Sequence, residues 1–182
     1  MAGIFKKNQN DIIDSSGNLT SAVFPAGHII SFAEGNLSPT SPVSISTSDY
    51  HFTSLSCDLV TTSTSNKIVV QYFLPDIHNN AAGGASVHCG LYYNTGTGAF
   101  DNSTAQKLGS KKFIGTYNGY EDGNVSSALF HINILLVASV PTVNTLRLYP
   151  LLLGVNAGVD LFDNANGSDN DVASIIAYEV KQ

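Results

Sequence analysis

Lys67-Ile68-Val69-Val70-Gln71-Tyr72-Phe73-Leu74 is a short run in which every side chain but Lys67 and Gln71 is β-branched, aromatic or leucine. A run this brief and this rich in stiff, flat side chains suits a pleated strand better than a helix. Its near-continuous apolarity predicts a central strand covered on both faces, and Pro75 directly after it predicts its end. Working outward, the same reading repeats. Upstream, Gly27 to Ala33 forms a strand-like run between Pro25 and Gly35, Val43 to Ser46 alternates at period two, and Tyr50-His51-Phe52 leads into Leu55 to Val60. Downstream come Ser86 to Tyr93, Lys112 to Tyr117 with the turn residues Asn118-Gly119, Ser127 to Ala138, Thr145 to Val155 and Val172 to Val180. Ile132, Ile134 and Val137 favour strand within Ser127 to Ala138, with a buried helix as the rival. Pro150 inside Thr145 to Val155 predicts an edge strand or a bend.

The stretches between these runs carry turn chemistry: Asn79 to Gly84, Asn94 to Gly98 and the acidic, Asn-rich Asp160 to Asp171. The expected architecture is all-β, with about 8–10 antiparallel strands in one jelly-roll or β-sandwich domain over residues 23–182. Residues 1–22 are polar and without sustained period, and read as an N-terminal arm. The arm is either a frayed end or a segment ordered by docking on a neighbour.

Composition limits the function classes. Of the 182 residues only 12% are charged and the net charge is −6, against roughly 25% charged in an average domain. Arg147 is the sole arginine, and the only adjacent basic pairs are Lys6-Lys7 and Lys111-Lys112. Phosphate neutralisation needs clustered cations, so nucleic-acid binding is not expected, and an anionic membrane surface is disfavoured for the same reason. No apolar stretch reaches the roughly 18–20 residues of a membrane helix, so membrane insertion is not expected. The first residues lack the apolar core of a signal peptide, so exit from a cell is expected to need no secretion signal, as in release by lysis within a virus particle. Cys57 and Cys89 lie in apolar runs and read as buried thiols, with a disulfide as the alternative if their Cα atoms come within about 7 Å.

Little in the chain reads as catalysis. No GxSxG, SxxK, P-loop or GxGxxG run is present. His28, His51, His78, His88 and His131 are scattered without metal-binding spacing. A non-enzymatic role is therefore expected. Two groups remain as candidate sites. Asp160, Asp163, Asp169 and Asp171 share one loop with Asn164, Asn166 and Asn170, hard oxygen ligands that could hold Ca²⁺, but the spacing fails the EF-hand rule and a solvated turn whose Asn and Asp cap their own backbone is the favoured reading, so no cofactor is expected. Tyr92, Tyr93, Tyr117 and Tyr120 flank loops rich in Gly, Asn and Asp, as an aromatic platform for sugar would, whereas ordinary core aromatics are the plain alternative.

Three segments carry a resemblance. Phe24-Pro25-Ala26-Gly27-His28-Ile29-Ile30, Thr62 to Val70 (TSTSNKIVV) and Ala173 to Val180 (ASIIAYEV) resemble, in order, the opening, a middle strand entry and the closing strand of a domain at the C-termini of tail fibres and related structural proteins of marine and cyanobacterial phages. The middle, Leu74 to Lys112, matches nothing in that family, and a long fibre shaft is missing ahead of Phe24, which favours a small stand-alone virion protein. The resemblance implies a jelly roll of the tumour-necrosis-factor type, a homotrimer, and a role in adhesion or assembly, with no catalytic residues. The expected function is thus a bacteriophage virion-surface protein, either a tail-fibre or receptor-binding tip or a capsid decoration protein. It would contact other virion proteins through its arm and a host surface glycan through its loops. A soluble carbohydrate-binding module or trimeric ligand of cellular origin is the alternative. On either reading, strands such as Phe130 to Val137 and Leu146 to Tyr149 offer more apolar surface than one sandwich face needs, which a three-fold assembly would bury.

Overall fold

A computed structural model of the chain describes residues 6–7, 10–11, 26–39, 41–79, 85–119, 130–155, 159–162 and 172–182. Among these the strands are β1 (Lys6–Lys7), β2 (Asn10–Asp11), β3 (Ile29–Leu37), β4 (Val43–Ile45), β5 (Tyr50–His51), β6 (Cys57–Val60) and β7 (Lys67–Asn79). They continue with β8 (Ala85–Thr95), β9 (Gln106–Lys107), β10 (Gly115–Gly119), β11 (Phe130–Ser139), β12 (Thr145–Val155), β13 (Val159–Leu161) and β14 (Ala173–Val180). No helix occurs among the described residues. Of the expected arm, only the β1–β2 pairing is described (Lys6 opposite Asp11, Lys7 opposite Asn10); the remainder of residues 1–22 lies outside the described residues.

Every pairing is antiparallel, and besides the two-stranded β1–β2 pair two six-stranded sheets result. In the first, β3, β14, β7 and β11 lie side by side, with β13 and β4 continuing from the far end of β7. In the second, β10 and β8 are followed by β12, whose other edge is shared by β6 and β5. Along the chain the eight principal strands alternate between sheets as β3, β6, β7, β8, β10, β11, β12, β14, with β8 and β10 the one pair kept in the same sheet. This is the jelly-roll order of two interlocked Greek keys. The fold is all-β, as the strand pattern predicts.

Period two explains the core. Ile68, Val70, Tyr72 and Leu74 of β7, Ile132 and Ile134 of β11, and Ala173, Ile175 and Ala177 of β14 face inward. They meet Cys57 and Leu59 of β6, Val87, Cys89, Leu91 and Tyr93 of β8, and Leu146, Leu148 and Leu152 of β12. Tyr72 is fully buried and its hydroxyl spans the sandwich to the Gly90 carbonyl (3.3 Å).

Four sequence expectations are corrected. First, β7 does not stop at Pro75; it runs to Asn79. Its pairing with β11 slips between Phe130 and Ile132, opposite Leu74 to Ile77, and a bulge is where a proline without an N–H fits a sheet interior. Second, β7 is central, but its outward side chains are not fully covered: Gln71 is exposed and Val69 and Phe73 are half-buried. Third, β12 is not an edge strand. Pro150 presents its backbone to the edge shared by β6 and β5, at the step between the two, and its carbonyl accepts the Phe52 N–H (2.9 Å). The missing N–H thus falls where no ladder bond is required. Fourth, β3 continues through Gly35. A Cβ there would sit 2.0 Å from the Ser56 carbonyl oxygen, so glycine permits the close approach of the two sheets at this seam.

The two cysteines do not pair. Both are buried and free. Cys57 lies opposite Leu148 and Cys89 opposite Leu152 on the two flanks of β12, two strand spacings or about 10 Å apart before the offset along the strand is added. That exceeds the reach of a disulfide. Burial pushes both thiols up to about 12, so they remain protonated.

Candidate functional site

The outward faces of the two sheets differ. On the second sheet the outward side of β12 is covered by the chain itself. Tyr149 and Leu151 point away from the main core, yet both are fully buried. The segment after β8 folds back over them. Phe100 meets the Tyr149 ring edge-on (5.0 Å between centroids), and the Tyr149 hydroxyl donates to Asn94 Oδ1 (3.0 Å). Asn94 Nδ2 in turn donates to the Asp101 carbonyl and to Thr104 Oγ1, both at 2.9 Å. Arg147 pins the start of this segment. Its guanidinium forks onto the Asp58 carboxylate (2.9 and 3.0 Å) and donates to the carbonyls of Gly98 (2.7 Å) and Thr97 (3.1 Å). The surplus apolar surface expected on Leu146 to Tyr149 is therefore used inside one copy.

His51 sits beneath this cover, ringed by Tyr92 (5.3 Å), Phe100 (5.6 Å) and Tyr149 (5.8 Å). Its Nδ1 is buried without a hydrogen-bond partner. Burial holds its pKa below the ordinary histidine value; Asp49 opposes that shift and Lys112, itself paired with Asp49 at 2.6 Å, adds to it. The imidazole is a neutral packing element near pH 7.

On the first sheet the described residues leave apolar side chains exposed on the outward face. Phe32 lies opposite Tyr178, Tyr178 opposite Val69, and Val69 opposite Val137, one apolar row crossing all four strands. The next row is Glu34, Ile176, Gln71 and Leu135. Phe32 is 53% exposed, Val137 60% and Leu135 67%. Ile29, opposite Val180 at the end of β14, adds a further exposed side chain. Single exposed apolar residues are ordinary; here Phe32 and Val137 end a row that continues through the half-buried Tyr178 and Val69. The sequence signal was present in Ile134-Leu135-Leu136-Val137, where both parities of a strand are apolar. It could not say whether the second side was covered by the same chain.

The three segments that carry the family resemblance converge at one end of this sheet. Gly27 N donates to the Lys181 carbonyl (2.7 Å), and Lys181 N to the His28 carbonyl (2.9 Å). Glu179, fully buried, receives the Thr62 N–H (2.9 and 3.0 Å to its two oxygens), Thr62 Oγ1 (3.1 Å), the Ser63 N–H (3.1 Å) and Asn66 Nδ2 (2.8 Å). The Ser/Thr/Asn loop before β7 is thus wrapped around a carboxylate from the last strand. This buried acid was missed in sequence, since a Glu near the end of a strand reads as solvated.

The tyrosines singled out by sequence are separated. Tyr92 and Tyr93 are consecutive on β8 and face opposite sides. Tyr93 is buried in the core with its hydroxyl donating to Gln106 Oε1 (2.8 Å), while Tyr92 is half-buried beside His51. Tyr117 packs against the core, and its hydroxyl donates to the Asn133 carbonyl, tying β10 to β11. Tyr120 lies outside the described residues. Of the acidic loop, Asp160 belongs to β13, and Asp163, Asp169 and Asp171 lie outside the described residues. Among the described residues no three His, Cys, Asp or Glu side chains are grouped to hold a metal ion.

No protein-family model matches the chain, and a search of curated proteins finds no match.

Proposed function

We propose that this chain is a non-catalytic structural protein of a bacteriophage virion surface, a receptor-binding tip or a capsid decoration protein, that works as a homotrimer. The observation that carries the reading is the apolar row Phe32, Tyr178, Val69, Val137 on the outward face of one sheet, whereas on the other sheet the outward side of β12 is covered by the chain's own loop. Burying one Phe, Leu or Val side chain contributes about 1.5–3 kcal/mol, so a second copy laid on this face supplies a driving force for assembly. The resemblance adds the trimer and the virion, and its three segments meet in one hydrogen-bonded unit. Adhesion then works through multivalency: three linked copies make each further contact effectively intramolecular, and weak contacts to a host glycan sum to firm attachment.

Antibody-gold labelling of purified phage particles tests the assignment. Label at tail tips supports receptor binding, and label over the head supports decoration. Particles free of the protein would transfer the reading to a carbohydrate-binding or trimeric ligand protein of cellular origin.

A further inference from the structure

Beside the apolar row, between the end of β11 and the turn after β9, lies a cavity of about 470 Å³. Lys67 and Lys107 reach it together with Ser110, Ser139, Val137 and Pro141. The chain has a net charge of −6, yet among the described residues no carboxylate lines this cavity. Among the described residues both ammonium groups are held by neutral oxygens: Lys67 Nζ donates to Ser139 Oγ (2.9 Å) and Lys107 Nζ to the Ser110 carbonyl (3.1 Å). Elsewhere Lys112 and Arg147 are each matched to an aspartate. An ammonium has three N–H donors, so each lysine keeps donors to spare. Val137 and Pro141 supply an apolar wall beside the two charges. The charges come from separate parts of the chain, at the start of β7 and in β9, which makes the pair a product of the fold.

The geometry points to an oxyanion site here, taking the carboxylate of a uronic acid or the sulfate ester of an acidic polysaccharide. Two cations meet the anion with charge-assisted hydrogen bonds, the serine hydroxyls meet ring hydroxyls, and the apolar wall meets a sugar face. This deepens the adhesion reading, on which the choice of a polysaccharide rests. Val137 belongs also to the apolar row, so the cavity opens at the margin of the proposed contact between copies.

Calorimetric titration of the intact, assembled protein is the test. The probes are a uronic-acid oligosaccharide, a sulfated galactan oligosaccharide and a neutral galactan of equal length. The expected result is binding of one or both acidic probes, weakened by salt, with none of the neutral probe; which acid binds separates carboxylate from sulfate. Lys67→Gln and Lys107→Gln should each weaken binding about fivefold or more and the pair abolish it, while Lys111→Gln leaves it unchanged. Thermal melts of all variants confirm that folding is intact. Wild-type protein that binds neither acid at millimolar concentration, or a double variant that binds like wild type, overturns the site. Neutral-probe binding that survives in the double variant also overturns it while leaving adhesion standing. Acid binding by a protein that is monomeric keeps the site and removes the assembly.

Discussion

A single orphaned atom, Nδ1 of His51, is the described buried side-chain polar atom without a partner. It lies in a box of Tyr92, Phe100 and Tyr149. Because burial lowers its pKa below the ordinary histidine value, the unfolded chain binds this proton more readily than the folded one. Stability contributed here is therefore complete above about pH 6.5–7, falls as pH drops through the unfolded value, and levels off below the folded value. Melting temperatures measured at about pH 7.5 and pH 5.5 should show this loss in wild type, and His51→Phe should flatten it; an equal slope in the variant would contradict the assignment. At this scale the sequence was least legible. Tyr93 and Tyr117 sit near Gly- and Asn-rich loops, as surface aromatics do, yet their rings are turned inward and their hydroxyls reach Gln106 and the Asn133 carbonyl. Residue type and spacing do not reveal on which side of a strand a loop will fold.

At the scale of elements, sequence and structure agree on the long strand runs; they disagree at prolines and glycines, at the expected turn Asn118-Gly119, which lies inside β10, and at the short β9 and β13, which the sequence did not reveal. Pro75 and Pro150 read as breaks because an isolated strand loses a ladder bond at proline. Both are accommodated because the neighbouring strand is itself irregular there, slipped opposite Pro75 and replaced by another strand beside Pro150. Such features belong to the partner strand and are invisible in the strand's own sequence. The same holds for Glu179, whose partners are more than a hundred residues earlier in the chain. Its carboxylate joins β14 to the loop leading into β7. Glu179→Ala would leave the Thr62 and Ser63 amides and the Asn66 side chain unanswered in a buried setting, and is expected to lower the unfolding free energy by about 3 kcal/mol or more. Urea denaturation measures this, and a loss below about 1 kcal/mol would show that water substitutes for the acid.

For the molecule as a whole, the all-β class and the sandwich were legible because period-two patterning over many short segments admits few other architectures. The surplus of apolar surface was legible as well, but its location was not. On Leu146 to Tyr149 it is absorbed within the chain, Leu146 and Leu148 by the core and Tyr149 by the loop after β8, and on β11 Leu135 and Val137 stay exposed. That face, with Lys67 and Lys107 at its margin, is where we propose both assembly and ligand contact. Sedimentation equilibrium of the purified chain, alone and with Leu135→Lys and Val137→Lys combined, tests the claim most directly. The account predicts a particle of three times 19.2 kDa for the wild type and a folded single copy for the double variant. A wild-type chain that sediments at 19.2 kDa at every concentration would contradict it.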